Sequence, residues 1–178
     1  IIALISLYRP GPMGSGMLDE FVQRKHQRKK IHYDHPLLED ILKETYGVIV
    51  YQEQVMQIAQ VLAGFSASQA DVLRQAMGKK IPEEIKLQKV AFIESAKRNK
   101  IDRKTAEKIF SLIENFGSYG FNKSHAAAYA LIAYRTAYLK ANYTIEYLCA
   151  LLTSEIGRSA VIKEEESKLV NYIRELKE

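Results

Sequence analysis

Apolar residues recur at the spacing of one helix face in segment after segment of this chain. In the segment that starts at Gln52 and stops before Gly64, the spacing i, i+3, i+4, i+7 is filled by Val55, Ile58, Ala59 and Leu62. The sequence contains no convincing β-sheet pattern and no internal repeat. It therefore predicts an all-α chain, a single irregular helical domain of roughly eight helices with Gly/Pro-rich connecting loops.

Start and stop signals bracket most of the predicted helices. We expect helices over 17–26, 36–46, 52–63, from about 67 to 77, from 82, from 103 to 117, from about 125 to 141, from 145 to 156 and from 160. The predicted N-terminal caps are Ser66 or Ser68 (with Asp71 in capping-box style), Asp102, Ser124, Thr144 and Ser159. The predicted C-terminal stops are Gly64, Gly78 and Gly157. Residues 48–51 are either a short strand or a bend.

Composition excludes some classes of protein. The chain has 178 residues with 47% apolar and 26% charged content, which is typical of a globular protein. No run of eighteen apolar residues is present, which argues against a membrane span. The single cysteine, Cys149, excludes an internal disulfide, fits a reducing compartment and lies in an apolar pattern that predicts burial. A chain that opens inside an apolar run looks like a fragment of something larger.

A glycine-rich aromatic turn at residues 119–121 leads into a polar cluster at a predicted helix start. Ser124 is expected to cap that helix, and its first-turn N–H groups, at the positive end of the helix dipole, favour a phosphate. Asn122, Lys123 and His125 add polar groups there, and such a cluster has little use in packing. The following helix, with Tyr134 one turn before Tyr138, is either a buried packing helix or a surface that takes a base or sugar.

Three stretches concentrate positive charge, and the chain carries a net charge of +5. Five of the seven residues 24–30 are Lys or Arg, which indicates either a solvated face or contacts to phosphate groups. Arg74, Lys79 and Lys80 either suit the end of a helix dipole or form one basic pocket for phosphates. Arg9 opens the stretch 10–16, whose two prolines and three glycines predict a rigid loop that is either a connector or part of a site.

The sequence lacks the residues that several kinds of catalytic site require. The Gly-x-x-x-x-Gly-Lys-Ser/Thr phosphate loop and histidine pairs at metal-ligand spacing are missing. The aspartates are scattered among caps and turns, so the paired carboxylates that two-metal phosphoryl transfer needs are missing too. The sequence thus combines groups suited to phosphate with no catalytic metal site.

The stretches whose residues are suited to binding phosphate together resemble the bacterial DNA polymerase III alpha subunit, the family C replicative polymerase. The resemblance runs in order from about Ile2 to Glu155 and rests on LYRPGP at 7–12, TYGV at 45–48, YQEQVM at 51–56, AD at 70–71 with Arg74, AMGKK at 76–80 and YGFNKSHA at 119–126.

The resemblance implies that residues 1–155 are the fingers domain. For residues 156–178, the spacing of apolar residues predicts a C-terminal helix that leads toward the next domain. The resemblance also implies a cytoplasmic DNA-directed DNA polymerase whose palm domain, with catalytic aspartates and Mg²⁺, lies before Ile1. Domains after Glu178 would serve DNA and replisome partners such as the sliding clamp. The chain alone would then be inactive and hold no cofactor.

The resemblance also implies roles for individual residues. Those expected at the incoming dNTP are Arg9, Arg74, Lys79, Lys80, Asn122, Lys123, Ser124 and His125. Those expected at template–primer DNA are Arg24, Lys25, Arg28, Lys29, Tyr119, Phe121, Arg135 and Lys140. One departure is Gln75, which stands where the family often has a second arginine.

Two other functions remain compatible with the residues. A non-enzymatic helical module could bind DNA or RNA by its basic faces without needing Mg²⁺ or dNTP. A protein-interaction scaffold of packed helices would show no salt-sensitive nucleic-acid binding.

Overall fold

The computed structural model describes residues 1–117, 119–155 and 172–174. Within them the chain forms ten α-helices and two short 3-10 helices, residues 172–174 are also helical, and no strand is present, which confirms the all-α prediction. The helices are α1 Ile2–Leu7, α2 Pro10–Gly14, α3 Met17–Lys25, α4 Glu39–Leu42, α5 Gln52–Ala63, α6 Ala67–Lys79, α7 Pro82–Arg98, α8 Arg103–Gly117, α9 Lys123–Asn142 and α10 Thr144–Glu155. The chain divides into two compact units, Ile1–Tyr129 and Ala130–Glu178. None of the described helices is both long and apolar enough to cross a membrane.

The main core of the first unit lies among α5, α6, α7 and α8. These helices bury the apolar faces that their spacing predicted, and Phe92 at its centre is fully buried. Its ring meets those of Phe65 and Phe110, with centroids 6.2 and 5.4 Å away. Truncating such a residue to alanine typically costs about 3–5 kcal/mol. This core makes the four helices a fixed support for the segments at their ends.

A smaller apolar cluster joins α1 and α3 to the start of α9. Its buried members are Leu7, Phe21, Val50, Tyr51 and Ala126. It anchors residues that are more than a hundred positions apart in the sequence. The segment before α9 is thereby fixed against α1, α3 and residues 50–51.

The stops of α5 and α6 differ in which residue turns left-handed. Gly64 closes α5 with φ 66°, as predicted. Gly78, predicted as the left-handed stop of α6, is instead helical, and Lys80 takes that conformation with φ 54°. Pro82 favours an extended conformation for the preceding Ile81, so α6 cannot continue through Ile81.

The predicted N-terminal caps are confirmed in two places and wrong in others. Asp102 accepts the N–H of Thr105 at 2.9 Å, as predicted. Ser66 forms the capping box of α6, with Gln69 rather than with the pair Ser68 and Asp71, because Gln69 is at the third helical position and reaches back to the Ser66 N–H at 2.9 Å.

At α9 and α10 the predicted caps differ from the observed ones. The N–H of His125 donates to the side-chain oxygen of Asn122 at 2.8 Å, because α9 begins at Lys123 and the cap position falls on Asn122, not Ser124. Thr144 donates its hydroxyl to the carbonyl of Lys140 at 2.7 Å, so it closes α9 and does not cap α10. The predicted signals at Gly157 and Ser159 lie outside the described residues.

Three further expectations are corrected. The predicted loop at 10–16 contains α2, since Pro10 at the first position favours a helical turn. The predicted helix 36–46 is broken into a 3-10 turn, α4 and a second 3-10 turn that ends at Tyr46 with φ 54°. Cys149 is exposed, because Leu148 takes the buried position of α10 and the next residue points about 100° away.

The second unit presents apolar side chains on its surface. Both predicted ring positions of α9 are exposed, Tyr134 by 58% and Tyr138 by 51%, so neither is a core residue in the described structure. Other large exposed apolar residues in the described part of this unit are Leu131, Ile132, Leu139, Tyr143, Ile145 and Ile173. The boundary predicted at residue 155 stays a prediction.

Candidate nucleotide and nucleic-acid interface

The turn before α9 is held from two sides. Gln52, the first residue of α5, donates its N–H to the carbonyl of Phe121 at 2.9 Å, and Tyr51 and Phe121 form an isolated parallel bridge. From the other side, Arg9 donates from Nη2 to the carbonyl of Tyr119 at 2.6 Å. Gly11 packs so closely that a Cβ would lie 2.3 Å from the Tyr119 ring. Residues 119–121 therefore have a defined geometry.

The start of α9 carries a carboxylate that the sequence did not assign to it. Glu53 accepts the Lys123 N–H with both oxygens, at 3.1 and 3.0 Å, and the Asn122 side-chain N–H at 3.1 Å. Glu53 is also in the first turn of its own helix, α5. Its place opposite α9 has no local sequence signal, since 70 residues separate it from Lys123.

The side chain of Lys123 is engaged within the first unit. Its ammonium donates to Glu44 at 2.5 Å and lies 5.5 Å from the centre of the Tyr51 ring. Burial of that tyrosine raises its pKa to about 12, with a further contribution from the charge of Glu44.

Ser124 and His125 are exposed in the first turn of α9. The His125 ring packs between two aromatic rings, with centroids 4.6 Å from Tyr129 and 5.5 Å from Phe121. The ring of Phe121 also lies under the guanidinium of Arg9, at 4.5 Å. A base that stacked on Phe121 would therefore meet a ring that already contacts His125 and the guanidinium of Arg9.

Arg74 lies in α6 beside an acidic neighbour. Asp71 accepts from Arg74 Nε at 2.7 Å and from the Gln75 side-chain amide at 2.7 Å, and these two hydrogen bonds lower the Asp71 pKa. The Arg74 side chain keeps 31% of its surface exposed. Gln75 thus shares in orienting the carboxylate that Arg74 binds.

One small cleft joins Arg74 to the turn before α9. Its lining includes Arg74, Gly78, Gln52, Gly117 and Gly120. Gly78 is on the same face of α6 as Arg74 because residues four apart are neighbours on a helix. The structure thereby brings together two stretches that are about forty positions apart in the sequence.

The two lysines of the same motif have a different environment. Lys79 and Lys80 are exposed, and neither makes an ion pair or side-chain hydrogen bond to any described residue. Lys79 lines a cavity of about 250 Å³ together with Gln75 and Glu84, not the cleft of Arg74. Five helical positions turn a side chain by about 140°, which accounts for the separation.

The basic stretch at 24–30 is divided between structural and exposed residues. Arg24 pairs with Glu20 at 2.6 Å and donates to the carbonyl of Tyr46 at 3.1 Å, while its Nε is buried with no partner among the described residues. Lys29 also pairs with Glu20, and these bonds, Lys29 first, lower the pKa of that carboxyl group. Lys25 and Arg28 remain exposed.

The second unit holds the other two predicted DNA contacts. Arg135 and Lys140 are both exposed residues of α9. Within the described residues, no group of three or more His, Cys, Asp or Glu side chains is arranged to hold a metal ion.

Comparison with known proteins identifies the class to which this all-helical chain belongs, the finger domains of bacterial DNA polymerases. Residues 1–100 match the family described as the bacterial DNA polymerase III alpha subunit finger domain, and the chain belongs to that family. It is similar to DNA polymerase III subunit alpha of Campylobacter jejuni, with 54% identity over 177 residues, which cover 99% of this chain. The same subunits of Escherichia coli K12 and Haemophilus influenzae are 53% and 54% identical over 89% of the chain. The chain spans 14% of the length of each of these relatives.

Proposed function

We propose that this chain is the fingers domain of a replicative DNA polymerase and binds the triphosphate of the incoming dNTP and the template–primer DNA during DNA-templated synthesis. The observation that carries the proposal is the cleft shared by Arg74 and Gly78 with Gly117 and Gly120. It unites the two stretches whose residue types suit a phosphate and a nucleotide, and the family match supports the same conclusion.

The proposed chemistry is binding and charge neutralisation. Arg74 supplies a planar fork that suits a phosphate group, and Lys79 and Lys80 supply exposed point charges close by in the sequence. Such groups hold the α-phosphate for attack and stabilise the charge that develops on the leaving pyrophosphate. We assign the catalytic aspartates and Mg²⁺ to the palm domain, in another part of the polymerase.

The DNA contacts are proposed for exposed basic residues and for two half-buried aromatic residues. Lys25 and Arg28 in the first unit, with Arg135 and Lys140 in the second, are exposed and suited to the phosphate backbone. Tyr119 and Phe121 would lie beside the templating base. We further propose that the polymerase is cytoplasmic, that the isolated chain is inactive and that replisome subunits such as the sliding clamp bind other domains.

The test is single-nucleotide incorporation by the complete polymerase. Arg74→Ala is expected to lower the incorporation rate with normal folding, by about 100-fold for a loss of a few kcal/mol of transition-state stabilisation. Lys79→Ala is expected to lower the rate by less, because Lys79 lines a different cavity. Arg103→Ala is the matched control, since Arg103 also pairs with an acid on its own helix, at 2.7 Å, and lies about 20 Å along α8 from Gly117. Unchanged rates for both variants would contradict the proposal.

A non-enzymatic nucleic-acid module is the second candidate, favoured by the exposed basic residues Lys25 and Arg28. Fluorescence anisotropy of labelled primer–template DNA, measured over a salt series, distinguishes the two. A polymerase lobe should bind more tightly when the matching dNTP and Mg²⁺ are added. Salt-sensitive binding that ignores dNTP would favour the simple module.

A further inference from the structure

Glu53 connects the first turn of α5 to the first turn of α9. The N–H of Lys123 is at the start of a helix, where no carbonyl of the same helix can accept it. Both carboxylate oxygens of Glu53 accept that N–H, at 3.1 and 3.0 Å. Since Glu53 is also in the first turn of α5, its negative charge lies at the positive ends of two helix dipoles.

The same carboxylate orients Asn122. The Asn122 amide donates to Glu53 at 3.1 Å and, through its oxygen, accepts the N–H of His125 at 2.8 Å. A chain of hydrogen bonds thus runs from Glu53 through Asn122 to His125. The neighbouring Gln52 binds the carbonyl of Phe121 at 2.9 Å, so adjacent residues of α5 hold both sides of Asn122.

A carboxylate is an unexpected neighbour for residues assigned to a triphosphate. Its charge repels phosphate, so Glu53 is not expected to bind the triphosphate itself. Its three hydrogen bonds all go to the segment 122–123, which leads directly into the exposed residues Ser124 and His125. The use that remains for it is control of that segment's position.

We propose that Glu53 is a positioning residue that holds Asn122, Lys123, Ser124 and His125 in the geometry needed for the incoming nucleotide. The inference rests on the proposed function, since it assigns a supporting role at the same site. Groups held by hydrogen bonds from a rigid element keep catalytic geometry, and a displacement of about 1 Å costs up to about 100-fold in rate. Here α5 is the rigid element, because its apolar face is buried in the main core.

The test uses the complete polymerase and the variants Glu53→Gln and Glu83→Gln. Glu83 is the matched control because it, like Glu53, is the second residue of its helix, and it is exposed at the start of α7. Glu53→Gln is expected to raise the KM for dNTP about tenfold, whereas Glu83→Gln is expected to leave it unchanged, since both variants lose a first-turn charge but only Glu53 bonds to the start of α9. Asn122→Ala should raise the KM similarly, and the double variant should be no worse than the more impaired single variant.

Several results would overturn the inference. One is a normal KM with a lowered melting temperature, which would make Glu53 a helix cap only. Another is a double variant whose effects on KM simply multiply. If Glu53→Gln fails to fold, Glu53→Asp serves instead: it keeps the charge with a shorter reach, and it is expected to raise the KM by less than Asn122→Ala. A normal KM for Glu53→Asp together with a lowered melting temperature would overturn the inference equally.

Arg74→Ala, measured in the same assay, distinguishes a failure of the positioning role of Glu53 from a failure of the proposed function. If Arg74→Ala impairs incorporation and the Glu53 variants do not, the positioning role fails and the proposed function stands. If neither impairs incorporation, the proposed function itself fails.

Discussion

The guanidinium of Arg9 lies 4.5 Å from the centre of the Phe121 ring. Arg9 also donates to the carbonyls of Ser6 and Tyr119, at 3.0 and 2.6 Å, and its partial burial lowers its pKa. The family resemblance places Arg9 at the incoming nucleotide. In the structure Arg9 is hydrogen-bonded to Tyr119, just before residues 122–125, which are also expected at the nucleotide. Its contact with dNTP stays a prediction, whereas its internal bonds allow a direct test.

Arg9→Ala is expected to lower the free energy of unfolding by about 1–3 kcal/mol, because it removes two charge-assisted hydrogen bonds and a cation–π contact. Arg9→Lys keeps the charge but not the planar fork, so a loss of about 1 kcal/mol is expected. Urea denaturation of this chain, followed by far-UV circular dichroism, measures both. Arg28→Ala is the control, since Arg28 is exposed, and an equal loss there would refute the interpretation.

Gln54 satisfies four polar groups inside the first unit. Its oxygen accepts the N–H groups of Val50 and Tyr51 at 2.9 and 3.0 Å, and its amide donates to Ile41 and Thr45 at 3.2 and 2.8 Å. Gln54→Met keeps the volume but leaves those buried groups unpaired. We expect a loss of at least about 3 kcal/mol in the free energy of unfolding. Gln57→Met, on the exposed side of the same helix, should change it by less than about 0.5 kcal/mol. Similar losses for the two variants would contradict the argument.

Gly78 is a helical glycine with open space around it. A Cβ there would meet no heavy atom within 4 Å, so Gly78→Ala is expected to raise the free energy of unfolding by about 0.5–1 kcal/mol. Gly11→Ala is the comparison, because a Cβ on that helical glycine lies 2.3 Å from the Tyr119 ring and should destabilise the chain by about 1–3 kcal/mol. Thermal and urea unfolding of both variants decide the matter, and destabilisation by Gly78→Ala would show that the glycine has a structural role.

Tyr51 gives the first unit a sensitivity to alkaline pH. Its pKa of about 12 in the folded chain, raised by burial, exceeds the value of about 10 for an unfolded tyrosine. A raised pKa contributes stability that is complete below pH of about 10 and is lost as pH rises toward 12. The difference in unfolding free energy between the parent chain and Tyr51→Phe should therefore move by about 2 kcal/mol in favour of the variant over that interval. A difference that stays constant with pH would contradict this assignment.

Local sequence determined the helical architecture and several of the positions at which helices begin and end. The spacing of Val55, Ile58 and Leu62 matches the face that α5 buries, and Gly64 ends that helix as expected. These signals succeed because a helix face and its caps depend on residues within a few positions of one another. The motif strings also carried the family resemblance, which the comparison with known proteins confirms.

Tertiary structure decided which charged groups are already in use. The bonds of Glu53 to Lys123, of Arg9 to Tyr119 and of Lys123 to Glu44 join residues 70 or more positions apart, and no local pattern announces such pairs. Helical geometry likewise turned Lys79 away from the cleft of Arg74. Sequence therefore supplied the residue types suited to a nucleotide. Only the packing of the helices determined which of them remain exposed, because an ion pair forms wherever the fold brings opposite charges together.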